Sequence, residues 1–352
     1  MTGSKEMDVQ PVFGEPALLL KSPAERVLAI ADLHVGLKYQ WERDGVFIPD
    51  QKKRLVDKIR NICEPMKIDR LVVIGDFKHH VPRGSWKERK GRWDLEREEI
   101  RTRIDTVVQQ KQAVEERISS GGDDLHPVAV AEQKMLYRLE REKMRQVSRY
   151  RERKSLVLDT MPAEEEAVNL VLEELGGFLG QVDIVKGNHD GRLESIIDPS
   201  LKDFVTVHRA EGFLYKIGEK VPADEEFGGP CSVGFLHGHK WPGPEVVGAD
   251  LIVVGHTHYS FVFEDKIGAR IIEPIWVRGK ASDVMKERYP RMPKGFILMP
   301  SFNPLLSTKP INSKRPTLYG PLLRNGYLDV RDARMYLFDG TELGKVGDLV
   351  PW

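Results

Sequence analysis

Five short apolar runs in this chain end directly in Asp, Asn or His, and this recurrence constrains the fold more than any other feature. An apolar run of this length, bounded by polar residues and Gly, is typical of a strand buried in a parallel sheet. The polar ends are Asp32-Leu33-His34, Gly75-Asp76, Gly187-Asn188-His189-Asp190, His237-Gly238-His239 and Gly255-His256-Thr257-His258. Because ligands of open α/β sheets bind beyond the carboxyl ends of the strands, we expect these ends to converge on one site.

A helix between two of the runs supports an α/β fold. Apolar residues recur at helical spacing in Gln51–Cys63, which lies between the strand candidates Val27–Ala31 and Leu71–Ile74. Strand, helix, strand is typical of α/β proteins. The other candidates before polar ends are Val182–Val185, Val233–Leu236 and Leu251–Val254. The tail is predicted to be β-rich, with strand candidates at Phe261–Phe263, Arg270–Ile272, Phe296–Met299 and Met335–Phe338.

A charged stretch at residues 84–160 interrupts this pattern and is predicted to be an inserted antiparallel helical hairpin. Apolar residues recur there every seven positions, which indicates one seam of a long helix: Trp86, Trp93, Ile100, Val107 and Val114. Ser and Gly at 119–122 would end that helix. The second helix has these candidate inward residues: Leu136, Leu139, Met144, Val147, Tyr150 and Val157. Residues 1–83 and 161–352 would then form one discontinuous domain.

Composition excludes several classes of protein. The 54 basic and 54 acidic residues balance, which argues against a uniformly basic nucleic-acid binder. Two cysteines, Cys63 and Cys231, are too few for a disulfide framework or a cysteine metal site. The sequence has neither an apolar run of the ~20 residues that span a membrane nor a secretory signal pattern at its start. We therefore expect a cytoplasmic protein without a membrane partner.

The polar ends have the chemistry of metal ligands. Residues two apart in an extended chain point the same way, so Asp32 and His34 can face one ion, as can His256 and His258. Carboxylate, imidazole and amide oxygen suit first-row divalent metals such as Mn, Fe and Zn. Any single end would usually be an ordinary polar residue. Five together favour a metal site, and two ions that share a carboxylate would accommodate them all.

The motifs D-x-H, G-D, G-N-H-D, H-G-H and G-H-x-H, in this order, resemble the calcineurin-like metallophosphoesterase superfamily. Within it the chain most resembles the ICC-like predicted phosphoesterases related to the SbcD nuclease, one branch of which is described as a ligase-associated DNA damage response endonuclease. The likeness rests on Ala31–Gly36, Gly75–His79, His237–Lys240 and Met299–Pro304. Thr257 and Tyr259 stand where that group often has Glu and Pro, and the hairpin is foreign to its pattern.

The resemblance implies a four-layer α/β/β/α sandwich that holds two divalent ions, with Mn preferred and Fe, Zn or Ni as alternatives. It assigns one ion to Asp32, His34 and His258, and the other to Asn188, His237 and His256, with Asp76 bridging them. His239 is the alternative to His237, which is preferred because it directly follows the apolar run.

The resemblance also implies a mechanism. Two ions ~3.5–4 Å apart would bind a phosphodiester and lower the pKa of a bridging water, whose hydroxide attacks in line. His189 would protonate the leaving alkoxide. Asp190 would either hold that imidazole protonated or only stabilise a turn. His79 matches a histidine that SbcD-like nucleases have three residues after the bridging Asp, and is predicted to lie near the substrate.

The leading hypothesis is therefore a metal-dependent phosphodiesterase, a DNA or RNA nuclease related to DNA repair. The alternatives are hydrolysis of small nucleotides or generic phosphoesters, with the hairpin serving oligomerisation, and a non-catalytic binding module. The second hairpin helix is locally basic, so the hairpin would either bind a nucleic-acid backbone or serve as a solvated or homodimerisation arm. A helicase, ligase or ATPase of DNA repair is the expected protein partner.

Overall fold

The computed structural model describes residues 7–43, 45–79, 86–120, 135–147, 160–216, 230–313 and 316–349. Over these ranges the chain is a mixed α/β protein, which confirms the fold class expected from the sequence. Met1–Val81 and Glu165–Trp352 form one compact unit, and Pro82–Glu164 form another. The helices are α1 (Leu37–Arg43), α2 (Lys52–Met66), α3 (Trp86–Ser120), α4 (135–147), α5 (Thr160–Gly176), α6 (Leu193–Ile196), α7 (Pro244–Val247), α8 (Gly320–Arg324) and α9 (Val346–Leu349).

The first sheet has six strands in chain order: β1 (Asp8–Pro11), β2 (Ala17–Lys21), β3 (Arg26–Ala31), β4 (Arg70–Ile74), β5 (Gln181–Val185) and β6 (Val205–His208). Strands β3 to β6 are parallel to one another. Strand β2 is antiparallel to β3, and β1 is antiparallel to β2. In this register Ala31 pairs with Ile74 and Ile74 with Val185, so three strands end level. The residues that follow them therefore start from the same edge of the sheet.

The second sheet has seven strands in the order β16-β15-β12-β13-β9-β8-β7. Three adjacent inner strands, β13, β9 and β8, are parallel, and Leu236 pairs with Val254, so that β8 and β9 also end level. Its strands are β7 (Phe213–Lys216), β8 (Ser232–Leu236), β9 (Leu251–Val254), β12 (Trp276–Gly279), β13 (Gly295–Leu298), β15 (Arg334–Tyr336) and β16 (Glu342–Lys345). A small third sheet joins β10 (Tyr259–Glu264), β11 (Arg270–Pro274) and β14 (Lys309–Pro310).

Alternation along the strands separates the core into three clusters. In β3, Leu28 and Ile30 pack with α2 and α5, while Val27 and Ala29 point to the opposite face, as the two-residue period of a strand requires. On that opposite face the first sheet packs against Phe235, Val253 and other residues of the second sheet. A third cluster joins the other face of the second sheet to α7 and α8.

The long helix α3 agrees with its predicted seam, because Ile100, Val107 and Val114 are buried. An ion pair of 2.5 Å between Lys111 Nζ and Glu140 Oε2 joins α3 to α4. The antiparallel hairpin remains a prediction, because residues 121–134 lie outside the described ranges, as do Tyr150, Val157 and the side chains of Trp86 and Trp93.

The inward position predicted for Met144 in α4 is wrong, since its side chain is 64% exposed. Gln146 is buried instead, and it donates a 2.6 Å hydrogen bond to Glu142 Oε1. Gln146 lies two turns beyond the half-buried Leu139, on the same face of α4. The position of a residue on the helix therefore decides whether it is buried, even where that residue is polar. None of the helices in the described ranges is both long enough and apolar enough to cross a membrane.

Candidate metal centre

The predicted ligands share an unusual backbone conformation. Among the described residues, seven that are not glycine have positive φ, and five of these are candidate ligands. They are Asp32 (58°), His34 (48°), Asp76 (44°), His256 (65°) and His258 (44°). A side chain in this left-handed region costs of order 1–3 kcal/mol, and such residues cluster at functional sites. The turns at the strand ends thus carry strain at the positions where the sequence predicts metal ligands.

Asp32, His34 and His258 form the first cluster, with one ligand atom from each within 4.8 Å of the other two. His258 Nε2 lies 3.3 Å from Asp32 Oδ1. Those two atoms and His34 Nε2 are buried without a well-formed hydrogen bond to any described residue. An unsatisfied buried polar atom costs about 1–3 kcal/mol. Three such atoms facing one another fit a divalent cation, which would satisfy all three.

Asp76, His237 and His256 form the second cluster within the same distance limit. His237 is fully buried, and its Nδ1 lies 3.4 Å from the Ile74 carbonyl, which can only accept a hydrogen bond. His237 Nε2 is therefore the nitrogen that would face an ion. It lies 3.4 Å from Asp76 Oδ2 and 3.1 Å from Asn188 Oδ1. Two imidazoles, one carboxylate and one amide oxygen suit a first-row divalent metal.

One oxygen of Asp76 lies between the two clusters. Asp76 Oδ2 is 3.4 Å from His34 Nε2 of the first cluster and 3.4 Å from His237 Nε2 of the second. The other oxygen, Oδ1, accepts a 2.8 Å hydrogen bond from the His189 backbone N–H, which fixes the carboxylate. The space beside this carboxylate is open only because residue 187 is glycine, since a Cβ there would overlap Asp76. Asp76 therefore has the position of a shared ligand.

Charge at the centre is strongly perturbed. Burial opposes ionisation of Asp76, but the imidazoles of His237 and His34 outweigh burial and lower the pKa of the carboxyl. Burial likewise opposes a charged His237 ring, yet Asp76 and Asp32 raise its pKa to about 9. His256 is different, because burial and the nearby His237 lower its pKa to about 4. A metal ion that takes His237 as a ligand must displace the proton that this ring holds at neutral pH.

Each cluster draws on both large sheets. Asp32 and His34 follow β3, and Asp76 follows β4, all in the first sheet. His237 follows β8, and His256 and His258 follow β9, both in the second sheet. Neither sheet alone therefore supplies a complete set of ligands.

His79 lies beside His34 and His189 at the candidate centre, and its place near the substrate stays a prediction. The residue is buried, and both ring nitrogens contact side chains: Nδ1 lies 2.8 Å from His34 Nδ1, and Nε2 lies 2.5 Å from Gln40 Oε1. Because the Gln40 oxygen can only accept, His79 Nε2 donates and Nδ1 accepts from His34. This leaves the lone pair of His34 on Nε2, the atom that faces Asp32 and His258. His79 thus orients a candidate ligand, although His34, His79 and His189 also form a third cluster that could hold an ion.

Replacing Gln40 by Leu is expected to weaken Mn binding about tenfold, the lower end of the loss seen when partners of metal ligands are removed. The apolar side chain cannot fix the His79 tautomer, so His34 Nε2 would carry a proton part of the time. The Gln40→Glu variant retains an acceptor and should bind Mn like the parent protein. Calorimetric titration of metal-free protein measures the affinity.

The matched control is Gln51→Leu, because Gln51 is also a glutamine near the surface, and its amide donates to the Pro49 carbonyl outside the clusters. Equal Mn affinity for Gln40→Leu and Gln51→Leu would contradict the role of Gln40 in orienting His34.

Asp190 has partners other than the imidazole suggested by the sequence. Its fully buried carboxylate accepts backbone hydrogen bonds from Phe77 (3.2 Å), Lys78 (3.0 Å) and Gly187 (2.9 Å). These bonds join the loop after β4 to the loop after β5, which agrees with the turn-stabilising alternative. Burial and the nearby Asp76 raise the pKa of Asp190, against the effect of these bonds. The His189 ring instead directs Nδ1 at the His79 carbonyl, and the Lys78 ammonium bonds to the His189 carbonyl at 2.6 Å.

Two residues near the centre have roles that the sequence analysis did not predict. Gln40 carries no local signal, because its contact with His79 joins different parts of the chain. Asn303 is buried and donates a 2.9 Å hydrogen bond to the Leu33 carbonyl, which supports the turn between Asp32 and His34. Asn303 lies in the Met299–Pro304 motif, so that motif was a usable signal.

His239, the alternative ligand, lies outside the clusters that the described residues form. Its ring centroid is 5.1 Å from that of His237, and its Nδ1 is buried without a hydrogen bond among the described residues. Burial and the neighbouring His237 lower its pKa to about 4. The geometry thus favours His237 as the ligand.

Neither a scan against models of protein families nor a search of curated proteins gave a match to this chain. Several Asp and His clusters at the ends of parallel strands could bind metal ions.

Proposed function

We propose that this chain is a two-metal-dependent phosphoesterase that hydrolyses phosphodiester bonds. The observation that carries the proposal is the position of Asp76 Oδ2, 3.4 Å from an imidazole nitrogen of each of two clusters. Each cluster contributes two imidazoles and one carboxylate, and Asn188 adds an amide oxygen to the second. Such a pair of sites suits first-row divalent ions such as Mn, Fe, Zn or Ni, and the resemblance favours Mn.

The fold within the proposal is the four-layer α/β/β/α sandwich. Helices α2 and α5 cover one face of the first sheet, and α7 and α8 cover the outer face of the second. The two remaining faces pack on each other. This arrangement supports the resemblance to calcineurin-like metallophosphoesterases, since both sheets direct strand ends to one edge.

The chemistry required of the site follows from the charge of a phosphodiester, which resists attack by water. Divalent ions held by the two clusters would neutralise that charge and make a water molecule more acidic. The protein side chains then have two tasks. Asp76 keeps the two ligand sets at a fixed separation, and a nearby acid supplies the proton that the leaving alkoxide needs.

His189 is the proposed acid. Its Nδ1 faces the His79 carbonyl, which can only accept, so Nδ1 keeps its proton and Nε2 is the atom that can release one. The ring is only 27% exposed, and Nε2 lies 4.0 Å from Asp76 Oδ2, at the border of both clusters. A proton donated from Nε2 leaves a neutral ring that keeps its hydrogen bond to the His79 carbonyl.

The His189→Ala variant is expected to keep both ions but lose turnover by ~10²–10⁴-fold, the usual contribution of a general acid. Metal content and hydrolysis of a DNA strand are measured on the same preparation. Hydrolysis of bis(4-nitrophenyl) phosphate should fall much less, because its nitrophenolate leaves without a proton. A drop in bound metal that matches the drop in turnover would make His189 a metal ligand instead.

The matched control is His208→Ala. His208 is also a partly exposed imidazole, but it pairs with Asp183 at 2.6 Å and lies outside the clusters. Its removal should leave both metal content and turnover close to those of the parent protein.

One assay tests the function as a whole. Metal-free protein reconstituted with Mn is offered single-stranded DNA, duplex DNA, RNA, a cyclic nucleotide and the chromogenic diester, with chelated protein alongside. Chelator-sensitive cleavage of a nucleic acid is expected. Cleavage of the small esters alone would favour the small-nucleotide alternative, and protein that binds two ions but cleaves none of these substrates would favour a binding module.

The nucleic-acid assignment within this proposal has a separate support in α4. Arg138, Arg141 and Arg145 are exposed and recur at helical spacing, so they form a basic strip that could contact a phosphate backbone. Dimerisation through the α3–α4 unit is the alternative role, and a DNA-repair helicase, ligase or ATPase remains the proposed partner.

A further inference from the structure

An open cleft of about 610 Å³ lies beside the second cluster, within the compact unit that holds both clusters. His256, a candidate ligand, lines this cleft together with His239, whose ring centroid is 6.2 Å from that of His256. Because His256 belongs to both, the cleft borders the candidate metal centre. A substrate with its reacting phosphate at that centre would extend into this space.

Two glycines give the cleft its form. Gly320, the first residue of α8, has a φ of +72°, and a Cβ at this position would overlap the Gly238 carbonyl. The backbone of α8 can therefore lie directly against the turn that leads from His237 to His239. This contact brings Arg324, at the end of α8, and Lys240, just after the turn, to the same cleft.

The charged groups of the cleft suit an anion. Lys240 has no hydrogen-bond or ion-pair partner within the described ranges, and Arg324 donates only from Nε, to the Leu318 carbonyl at 3.1 Å. Glu211 is the acidic residue among those that line the cleft. Arginine and lysine with unused donors are the groups that proteins present to phosphate oxygens.

An aromatic surface accompanies these cations. The indole of Trp241 lines the cleft and is half-buried, with its ring centroid 5.4 Å from that of Tyr327. The Arg288 guanidinium lies 4.0 Å from the Trp241 ring centroid. An aromatic ring beside unpaired cations is the combination that binds single-stranded nucleic acid, in which bases stack and phosphates pair with charge.

We propose that this cleft is the subsite for the nucleotide next to the phosphate at the metal centre. Lys240 and Arg324 would bind the neighbouring phosphate, and Trp241 would contact the base. The inference rests on the proposed phosphodiesterase function and narrows its substrate to a single-stranded nucleic-acid chain of more than one phosphate. A small diester would occupy the metal centre without reaching the cleft.

The first test is binding. A fluorescent single strand with uncleavable phosphorothioate links is titrated against Mn-loaded protein at several salt concentrations. The logarithm of the affinity falls as the logarithm of the salt concentration rises, and loss of one phosphate contact from a single strand makes this slope less steep by about 0.7. Because both residues would bind the same phosphate, the double variant Lys240→Ala, Arg324→Ala is expected to make that slope less steep by about 0.7. DNA and RNA strands form separate arms and identify which sugar the cleft accepts.

The second test is turnover. In the double variant, KM for a cleavable strand should rise at least tenfold, while hydrolysis of bis(4-nitrophenyl) phosphate and metal content stay unchanged. The control is Lys294→Ala, because Lys294 is an exposed lysine of the same unit that faces Asp250 and does not line the cleft. That control should leave strand affinity, salt slope and KM unchanged.

The base contact has its own readout. Abasic sites in the strand should weaken binding to the parent protein and have little effect on binding to Trp241→Leu.

Two outcomes would overturn the inference: an unchanged salt slope in the double variant, or an equal loss of strand and small-diester hydrolysis. Failure of the proposed function differs from both, since parent protein with two bound ions would then hydrolyse neither substrate. In that case, if the salt dependence of strand binding is still weaker in the double variant than in the parent protein, the cleft is a nucleic-acid binding site without the proposed catalysis.

Discussion

The Asp76→Asn variant is expected to lose both bound ions and to hydrolyse phosphodiesters more than ~100-fold more slowly than the parent protein. One oxygen of Asp76 lies 3.4 Å from a ligand nitrogen of each cluster, so a neutral amide weakens both sites at once. Changing residues that merely orient metal ligands already costs roughly 10–100-fold in affinity or activity. Elemental analysis after dialysis gives the ions per chain, and the chromogenic diester gives the rate.

The control for this variant is Asp183→Asn. Asp183 is also a buried carboxylate bonded to a histidine, since it accepts 2.6 Å hydrogen bonds from His208 Nε2 and Arg70. It lies outside the clusters, so its loss should lower the thermal midpoint and leave the metal content intact. Two ions bound to Asp76→Asn with the affinity of the parent protein would refute the shared-ligand position.

The Gly75→Ala variant is expected to destabilise the metal-free protein and to abolish metal binding. Gly75 has a φ of +78°, where a side chain costs about 1–2 kcal/mol. A Cβ at this position would also overlap the His237 imidazole, and overpacking of this kind costs about 1–3 kcal/mol more. The ring would have to move, and the second cluster would move with it. Urea unfolding gives the stability, and titration with Mn gives the affinity.

Gly14 supplies a closely matched control. Its φ is +77°, almost that of Gly75, but nothing lies within 4 Å of a Cβ added there. The Gly14→Ala variant should therefore show only the conformational cost of about 1–2 kcal/mol and bind metal normally. If the two variants lost equal stability and both kept their ions, the close approach of Gly75 to His237 would not be required for metal binding.

The strand ends could be predicted because their signal is local. A buried parallel strand is a short apolar run, and the polar residue at its end stands next to it in the sequence. Strand β9 has the predicted bounds, and the other candidates overlap observed strands. The antiparallel strands β1 and β2 were missed, since no polar ligand motif follows them.

The remaining features depend on contacts between distant parts of the chain. The Gln40–His79 hydrogen bond joins α1 to the loop after β4, and the Asp190 bonds join two loops. A D-x-H motif gives the residue types but not the left-handed backbone of Asp32 and His34, which the turn after β3 imposes. In α4, burial of Gln146 in place of Met144 reverses the order that apolar character predicts.

Each cluster takes its residues from both large sheets, and metal binding would therefore be linked to the stability of the fold. A ligand that binds only the native state stabilises it by RT ln(1 + [L]/Kd). Here the native state that binds is the one in which both sheets have already docked, because His258 reaches Asp32 and His237 reaches Asp76 across that contact. An ion bound by either cluster would therefore stabilise the docked sheets as a cross-link, and removal of the ion with a chelator should increase susceptibility to proteolysis.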